Sequence, residues 1–425
     1  MMDPAPVHLD FQRHTLDNGL RLILHHQPHL PLVATNLWYH VGSKNEEPGR
    51  TGFAHLFEHL LFQGSEHVDT NDHFRLIQQA GGTANGSTWF DRTNYHAVLP
   101  SHRLDLGLWL EADRMGFFLP AIDQEKLDNQ RDVVMNERRQ RIDNQPYGRA
   151  FECLLGMLYG EGHPYSWPVI GYMEDLEKAN LDDVRRFFRK FYVPNNAVLT
   201  LAGDFDPHRV VEQVERYFAA IPGGAPVDQP TPETRIAQTQ QHVEQDDVEL
   251  ARIYMGFVVP AYGTEEWLAA NLLATVLADG KSSPLYEDLV YERQIAQDVS
   301  TYVFPTELTA AFLVIATAVP DTTPEALYAA IGEHLDRYIK NGLAEADLER
   351  ARNRLLMTHF HQLQTLERRA DLLSRATVLF DDPSKATADI EGYMRQTPED
   401  LASVLRRYGS EENRVLLTIE PEENA

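Results

Sequence analysis

The run Thr51-Gly52-Phe53-Ala54-His55-Leu56-Phe57-Glu58-His59-Leu60-Leu61-Phe62-Gln63-Gly64 is the stretch around which this 425-residue chain is organised. If it is helical, His55 and His59 stand four apart on one face, one above the other, and their ring nitrogens can meet at one metal ion. Glu58 precedes the second histidine by one residue. Its carboxylate is therefore set beside such an ion, placed to take a proton from a water bound there. The order is H-x-x-E-H, the reverse of H-E-x-x-H. A chain with 18 histidines makes some pairs at this spacing by chance, so the pentapeptide acquires meaning only from its context.

Length and composition bound that context. A chain of 425 residues exceeds what one hydrophobic core usually supports, so two or more domains are expected. The hydrophobic share of 43% and the charged share of 24% are those of an ordinary globular protein. The net charge of -26 argues against nucleic acid, whose phosphates require a basic surface. Cys153 is the sole cysteine, which excludes an intramolecular disulfide and a thiolate cluster, so histidines and carboxylates are expected to hold any metal. Met1-Met2-Asp3-Pro4-Ala5-Pro6 shows neither a basic nor an apolar leader run, and no stretch of 18 apolar residues occurs. A soluble chain, cytoplasmic or periplasmic and without contact to a membrane, is the expectation.

Alternating apolar residues from 20 to 25, after the turn signal Asp17-Asn18-Gly19, indicate a hairpin in which Asn18 and Gly19 both accept positive φ. An apolar run follows at 32–39. The motif helix is expected to start at Thr51 as N-cap, and a second helix over 71–80 to be capped by Thr70 and stopped by Gly81-Gly82. Two strands (83–89, 93–99), helical periodicity over 102–117 and 123–143, a helix over 181–191, a strand over 197–202 and a helix over 207–218 complete this part. Residues 221–232 are dense in Pro and Gly and read as a linker. Beyond them the order of events recurs: strands over 242–259, a helix over 265–278 followed by Gly280, strands near Val299 and Phe312, then long helices. Two copies of one α+β unit are therefore expected, with an N-terminal domain over 1–221, a linker over 222–236 and a C-terminal domain over 237–425. Aligning Gly64 with Gly280 sets Asn271, Ala274 and Thr275 opposite His55, Glu58 and His59. The second copy then has no metal site, and one site per chain is expected.

Catalytic zinc takes three protein ligands and keeps one position open. On chemistry alone Glu125, Asp132 and Glu137 of the long helical stretch are all candidates for the third. A resemblance chooses among them. The Asn18-Gly19 hairpin, Gly42-Ser43 with Glu46, Gly52-x-Ala54-His55-x-x-Glu58-His59, Asn85-Gly86-Ser87-Thr88 with Asp91-x-Thr93-x-Tyr95, and Arg131-Asp132-Val133-Val134 together resemble the pitrilysin/insulinase family of inverzincin zinc peptidases, which includes the bacterial and mitochondrial processing peptidases. The likeness runs from about residue 14 to residue 420. It implies a third ligand about 75 to 80 residues after the second histidine, and Glu137 stands at 137 − 59 = 78. It further implies an α+β fold of two homologous domains, each a mainly antiparallel sheet with helices on one face, forming half of a clam-like chamber. The implied activity is zinc-dependent hydrolysis of a peptide bond, with Glu58 as base. The resemblance also implies that substrate is added as an extra strand at an edge formed by Ala84, Asn85 and Gly86.

Two departures from the family pattern bear on activity. Gln130 stands where the family often has a glutamate that supports the site, keeping an amide and losing a charge. Active single-chain members also carry an Arg and a Tyr seven apart after a Leu-Tyr-x-x-Leu-like stretch, as donors to the substrate oxyanion. Here Leu285-Tyr286-Glu287-Asp288-Leu289 is followed by Val290, with Gln297 seven further on; Tyr291 and Arg293 stand nearby at other offsets. The resemblance thus implies a zinc-bearing subunit whose Arg/Tyr pair comes from a homologous partner. The alternatives are a self-sufficient homodimeric peptidase and a non-catalytic assembly subunit.

Overall fold

The computed structural model describes residues 8–232 and 240–422 and resolves them into two compact units. The expected start of the linker-to-domain passage at 236–237 and the residues Met1–Pro6 lie outside the described residues. The units are drawn differently from the contiguous halves 1–221 and 237–425. Among the described residues, unit 1 comprises 8–138, 168–230 and 360–388; unit 2 comprises 139–167, 231–232, 240–359 and 389–422. The chain crosses between units at more places than the Pro/Gly-rich linker, because a helix from each half of the sequence packs on the sheet of the other. Sequence proximity does not report such an exchange.

Unit 1 is built on a six-stranded sheet. Its strands are β1 (Gln12–Thr15), β2 (Arg21–His26), β3 (Leu32–Tyr39), β4 (Thr83–Thr88), β5 (Thr93–Pro100) and β6 (Ala197–Gly203), in the order β1-β2-β6-β3-β5-β4. All neighbours are antiparallel except β2 and β6. Its helices are α1 (Phe53–Leu60), α2 (Asp72–Gln79), α3 (Leu104–Ala121) and α4 (Gln124–Arg138); unit 2 holds α5 (Ala150–Tyr159); and α6 (Met173–Glu177), α7 (Leu181–Phe191) and α8 (Val210–Phe218) return to unit 1. Because successive strand residues face opposite ways, Leu22, Leu24, Leu37, Leu199 and Leu201 join the core shared with α1, α3 and α8. Ile23, Trp38 and Val198 enter a second cluster with Leu372, Leu373 and Ala376 of the helix Leu366–Phe380. The expected single helical layer therefore gains a second one here. Central strands with both faces covered read as continuous apolar runs, and Ala197–Gly203 is buried throughout.

Unit 2 carries the five strands β7 (Gln240–Asp246), β8 (Arg252–Val259), β9 (Ala296–Val303), β10 (Ala310–Ala318) and β11 (Val415–Pro421), in the order β7-β11-β8-β10-β9. Position by position this matches β2-β6-β3-β5-β4, including one parallel pair, β7 with β11, at the same place. The helix α9 (Glu265–Ala278) stands where α1 stands, and Gly64 and Gly280 both take positive φ, 97° and 90°. The repeat read from the sequence is thus present in the topology. Both units are α+β with a mainly antiparallel sheet, as expected, each sheet holding one parallel pair.

Some local expectations are corrected. Gly19 takes positive φ (89°), whereas Asn18 does not. The Asn18 amide instead donates to the carbonyls of Phe218 (2.8 Å) and Ile221 (3.0 Å), satisfying groups left open at the end of α8. The N-cap of α1 is Gly52, in the left-handed region, and that of α2 is Asn71, so Thr51 and Thr70 each sit one residue before the cap. The long helical stretch is α4 followed by one π-turn, Arg139–Asp143, beginning two residues after Glu137.

Candidate metal centre

α1 separates its residues by face. Phe53, Ala54, Leu56, Phe57 and Leu60 are buried, and Phe57 stacks on Phe187 (5.1 Å between centroids) and Tyr192 (5.0 Å). Burial of one such aromatic contributes about 2–3 kcal/mol, which holds the helix to the core. His55, Glu58 and His59 fall on the remaining face and are half-buried.

The start of the helix is fixed by side chains distant in sequence. Glu46 accepts the backbone N–H groups of Gly52 (2.9 Å) and Ala54 (2.7 Å), placing a carboxylate where the helix N-terminus is positive. Asp175 of α6 accepts from Thr51 through both its N–H (3.1 Å) and its hydroxyl (2.7 Å), and Thr51 Oγ1 in turn accepts from Tyr172 N–H (2.9 Å). Gly52 and Gly171 lie in contact, both at positive φ (85° and 78°). A Cβ on Gly171 would come within 2.4 Å of the Gly52 backbone. The carbonyl of the same Gly171 accepts from the buried Arg138 guanidinium (2.7 Å), one residue beyond Glu137. The segment 168–177 therefore ties the N-terminus of α1 to the C-terminus of α4, and with them the histidines to Glu137.

The result is a compact donor set. Glu137 Oε2 lies 3.3 Å from His59 Nε2, and Oε1 lies 3.9 Å from His55 Nε2. The imidazole centroids are 4.8 Å apart, and one donor atom from each residue lies within 4.8 Å of the other two. Two imidazoles and one carboxylate around a half-buried point fit the donors that bind zinc with one position open. Of the three carboxylates left open by chemistry alone, Glu137 is the one that reaches the histidines. The opposite positions of unit 2 carry no such set: Asn271 donates to the Tyr393 hydroxyl (2.7 Å), and Thr275 donates to the Asn271 carbonyl (3.0 Å).

Glu58 stands beside the set. Thr88 Oγ1 donates to its Oε2 at 2.7 Å. Burial pushes the Glu58 carboxyl above its usual range, opposed by the Thr88 hydrogen bond and by His59 and Arg92. Gly86 packs directly on it: a Cβ there would lie 3.1 Å from Glu58 Cγ and 3.1 Å from Phe62 Cε2. Ala84, Asn85 and Gly86 all lie in β4, the outer strand of the sheet, paired with β5 alone. Asn85-Gly86 is therefore strand rather than turn. The Asn85 side chain accepts the Gly86 N–H (2.9 Å). Gln130 is buried on α4, its amide donating to Asn129 (2.9 Å).

The remaining expectations concern unit 2. Val290 is half-buried in the π-turn Glu287–Glu292, and Gln297 is exposed on β9. Arg293 is engaged by Asp288 (3.0 Å) and Glu333 (2.8 Å), and Tyr291 is exposed against Tyr286. The residues that sequence reasoning missed are Glu46 in its capping role, Gly171, Asp175 and Thr88. Glu46 and Thr88 were quoted as parts of motifs; nothing local to Gly171 or Asp175 signals their part.

Residues 21–164 match the family model described as Insulinase (Peptidase family M16), and residues 178–355 match that described as Peptidase M16 inactive domain. A zinc protease of Helicobacter pylori, PqqE, is 30% identical over 341 residues, covering 79% of this chain and 76% of that protein. The chain belongs to peptidase family M16. Another relative, an uncharacterized zinc protease of Bacillus subtilis named YmxG, is 26% identical over 68% of this chain and 69% of its own length. The crystal structure of a protease from Helicobacter pylori superposes with a TM-score of 0.91 at 27% identity, covering 98% of this chain and all of that one. Relatives named as zinc proteases support zinc as the metal of the M16 family, in agreement with the donor set. Among the described residues no helix is long and apolar enough to cross a membrane.

Proposed function

We propose that this chain is the zinc-bearing subunit of an M16 endopeptidase, with His55, His59 and Glu137 holding one zinc ion and Glu58 acting as general base. The observation that carries the reading is the convergence of those three donors beside a carboxylate that ligates nothing and is aimed by Thr88. Zinc, when bound, polarises the scissile carbonyl and acidifies water. Glu58 takes the proton of the attacking water and hands it to the leaving amine, and its raised proton affinity suits both transfers. The outer backbone of Ala84–Gly86 receives an extended peptide as an added strand, which selects for extended segments and unfolded regions more than for side chains.

The oxyanion donors come from a homologous second subunit. Supporting this are Val290 and Gln297 at the family's Arg and Tyr positions and the engagement of Arg293 by two carboxylates. The test is cleavage of a quenched extended peptide by the purified chain, alone and mixed with a homologous chain that carries the Arg/Tyr pair. Activity confined to the mixture is expected; full activity of the single chain would make it a self-sufficient homodimeric peptidase.

A further inference from the structure

A second cluster of metal-ligating side chains occurs in unit 2, on elements that the peptidase reading does not use. His242 and Glu244 are two residues apart on β7, so the strand's period of two turns both to one face. α5 packs on β11 and β8, and β11 pairs with β7 in parallel, which brings Cys153 of α5 over that face. His242 Nε2 lies 3.4 Å from Glu244 Oε1, and one donor atom of each of Cys153, His242 and Glu244 lies within 4.8 Å of the others. The juxtaposition is anchored at its end. Tyr147 donates its N–H to Asp246 (2.8 Å) and its hydroxyl to the Leu250 carbonyl (2.7 Å), while Arg252 lies 3.7 Å over its ring.

We propose that Cys153, His242 and Glu244 form a second metal site, for a thiophilic divalent cation of the Zn2+ or Co2+ kind. A thiolate with an imidazole excludes Mg2+ and Ca2+, which take oxygen ligands. Bonds of about 2.0–2.3 Å imply donor separations of about 3.4–3.7 Å in a tetrahedron, so side-chain rotation of about 1 Å at the widest pair closes the set. The His242 side chain is half exposed on the outer strand of the sheet, giving an ion entry from solvent and leaving the fourth position to water. Binding forms the metal–sulfur bond and releases the thiol proton to solvent. Without a metal the thiol is a poor nucleophile, because burial and the Glu244 carboxylate push it up to about 12. The site shares no residue with the His55 set, and it raises the count at saturating metal from one to two per chain.

The experiment is titration of the chelator-stripped full chain with Co2+. Thiolate ligation gives an intense near-ultraviolet charge-transfer band that a His/His/Glu site does not produce. The band should appear in the wild type, where it saturates by two equivalents because the His55 set also takes Co2+, and in His59→Ala, where it saturates at one; it should vanish in Cys153→Ser. His242→Ala and Glu244→Gln, at solvent-accessible strand positions, should weaken Co2+ binding at this band tenfold or more, with circular dichroism unchanged. Absence of the band from the wild type, or a band that neither strand variant weakens, would overturn the proposal.

Discussion

Thr88 donates its hydroxyl proton to Glu58 across 2.7 Å, from the end of the outer strand to the middle of the motif helix. The bond joins the element proposed to receive substrate to the group proposed to move the proton. Thr88→Val should leave metal content unchanged and lower kcat, measured with the proposed partner present, about 10- to 100-fold, the range set by a hydrogen bond to a charged acceptor. Thr88→Ser should recover most of the loss. Steady-state cleavage with parallel metal analysis checks it, and a loss confined to KM would show that Thr88 acts on substrate instead.

Gly86 leaves little room for a side chain. An added Cβ would crowd Glu58 Cγ and Phe62 at 3.1 Å and Tyr95 at 3.3 Å. Gly86→Ala should therefore displace the base by a few tenths of an ångström and reduce kcat at least about tenfold. The fold should lose no more than about 1–2 kcal/mol, since the contacts are with side-chain atoms that can shift. Cleavage rates and a urea denaturation curve separate the two effects.

Gly171 is held more tightly, between the N-terminus of α1 and Arg138. Its positive φ and the 2.4 Å approach to Gly52 are both incompatible with a side chain. Gly171→Ala should cost at least about 2 kcal/mol of stability and should lower zinc affinity, because it moves the two ligand-bearing helices apart. Gly160→Ala, also at positive φ but with open space around it, should lose stability without the loss of zinc affinity. Denaturation midpoints and competitive zinc titration make the comparison.

Acid should destabilise both units through buried histidines. His163 accepts the Tyr165 N–H at Nδ1 and stacks on Tyr159, and burial pulls its pKa down to about 4. His73, buried first of all and then beside Arg114, is held well below its usual value. Each is neutral in the folded chain where the unfolded chain takes up a proton, so stability is complete above about pH 6.5 and declines as pH falls toward the folded values. The slope is about 1.4 kcal/mol per pH unit for each group. Urea denaturation between pH 7.5 and 5 should show a shallower decline in His163→Gln than in the wild type; equal slopes would remove His163 from this account.

Much of the architecture was legible because its signals are local. Alternation marked β2, the H-x-x-E-H spacing marked α1, and the recurrence of strands, helix and glycine marked the repeat that the two sheet orders display. The interleaving of the units was not legible, since the face formed by Ile23, Trp38 and Val198 is covered by Leu366–Phe380, a partner that no pattern near those strands specifies. Glu137 could be chosen over Glu125 and Asp132 by family likeness alone, because helix packing across 78 residues leaves no trace in composition. Gly171 and Asp175 were hidden for the same reason: their part is to fit a backbone more than a hundred residues away.

The most direct measurement is zinc content and peptide cleavage of Glu58→Gln set against His59→Ala, each assayed with the proposed homologous subunit present. The account predicts that Glu58→Gln keeps every zinc ion of the wild type and loses cleavage by at least about a thousandfold, while His59→Ala loses one zinc ion and cleavage together. Loss of zinc from Glu58→Gln, or cleavage that survives it, would contradict the assignment of Glu58 as the base beside a His55–His59–Glu137 centre.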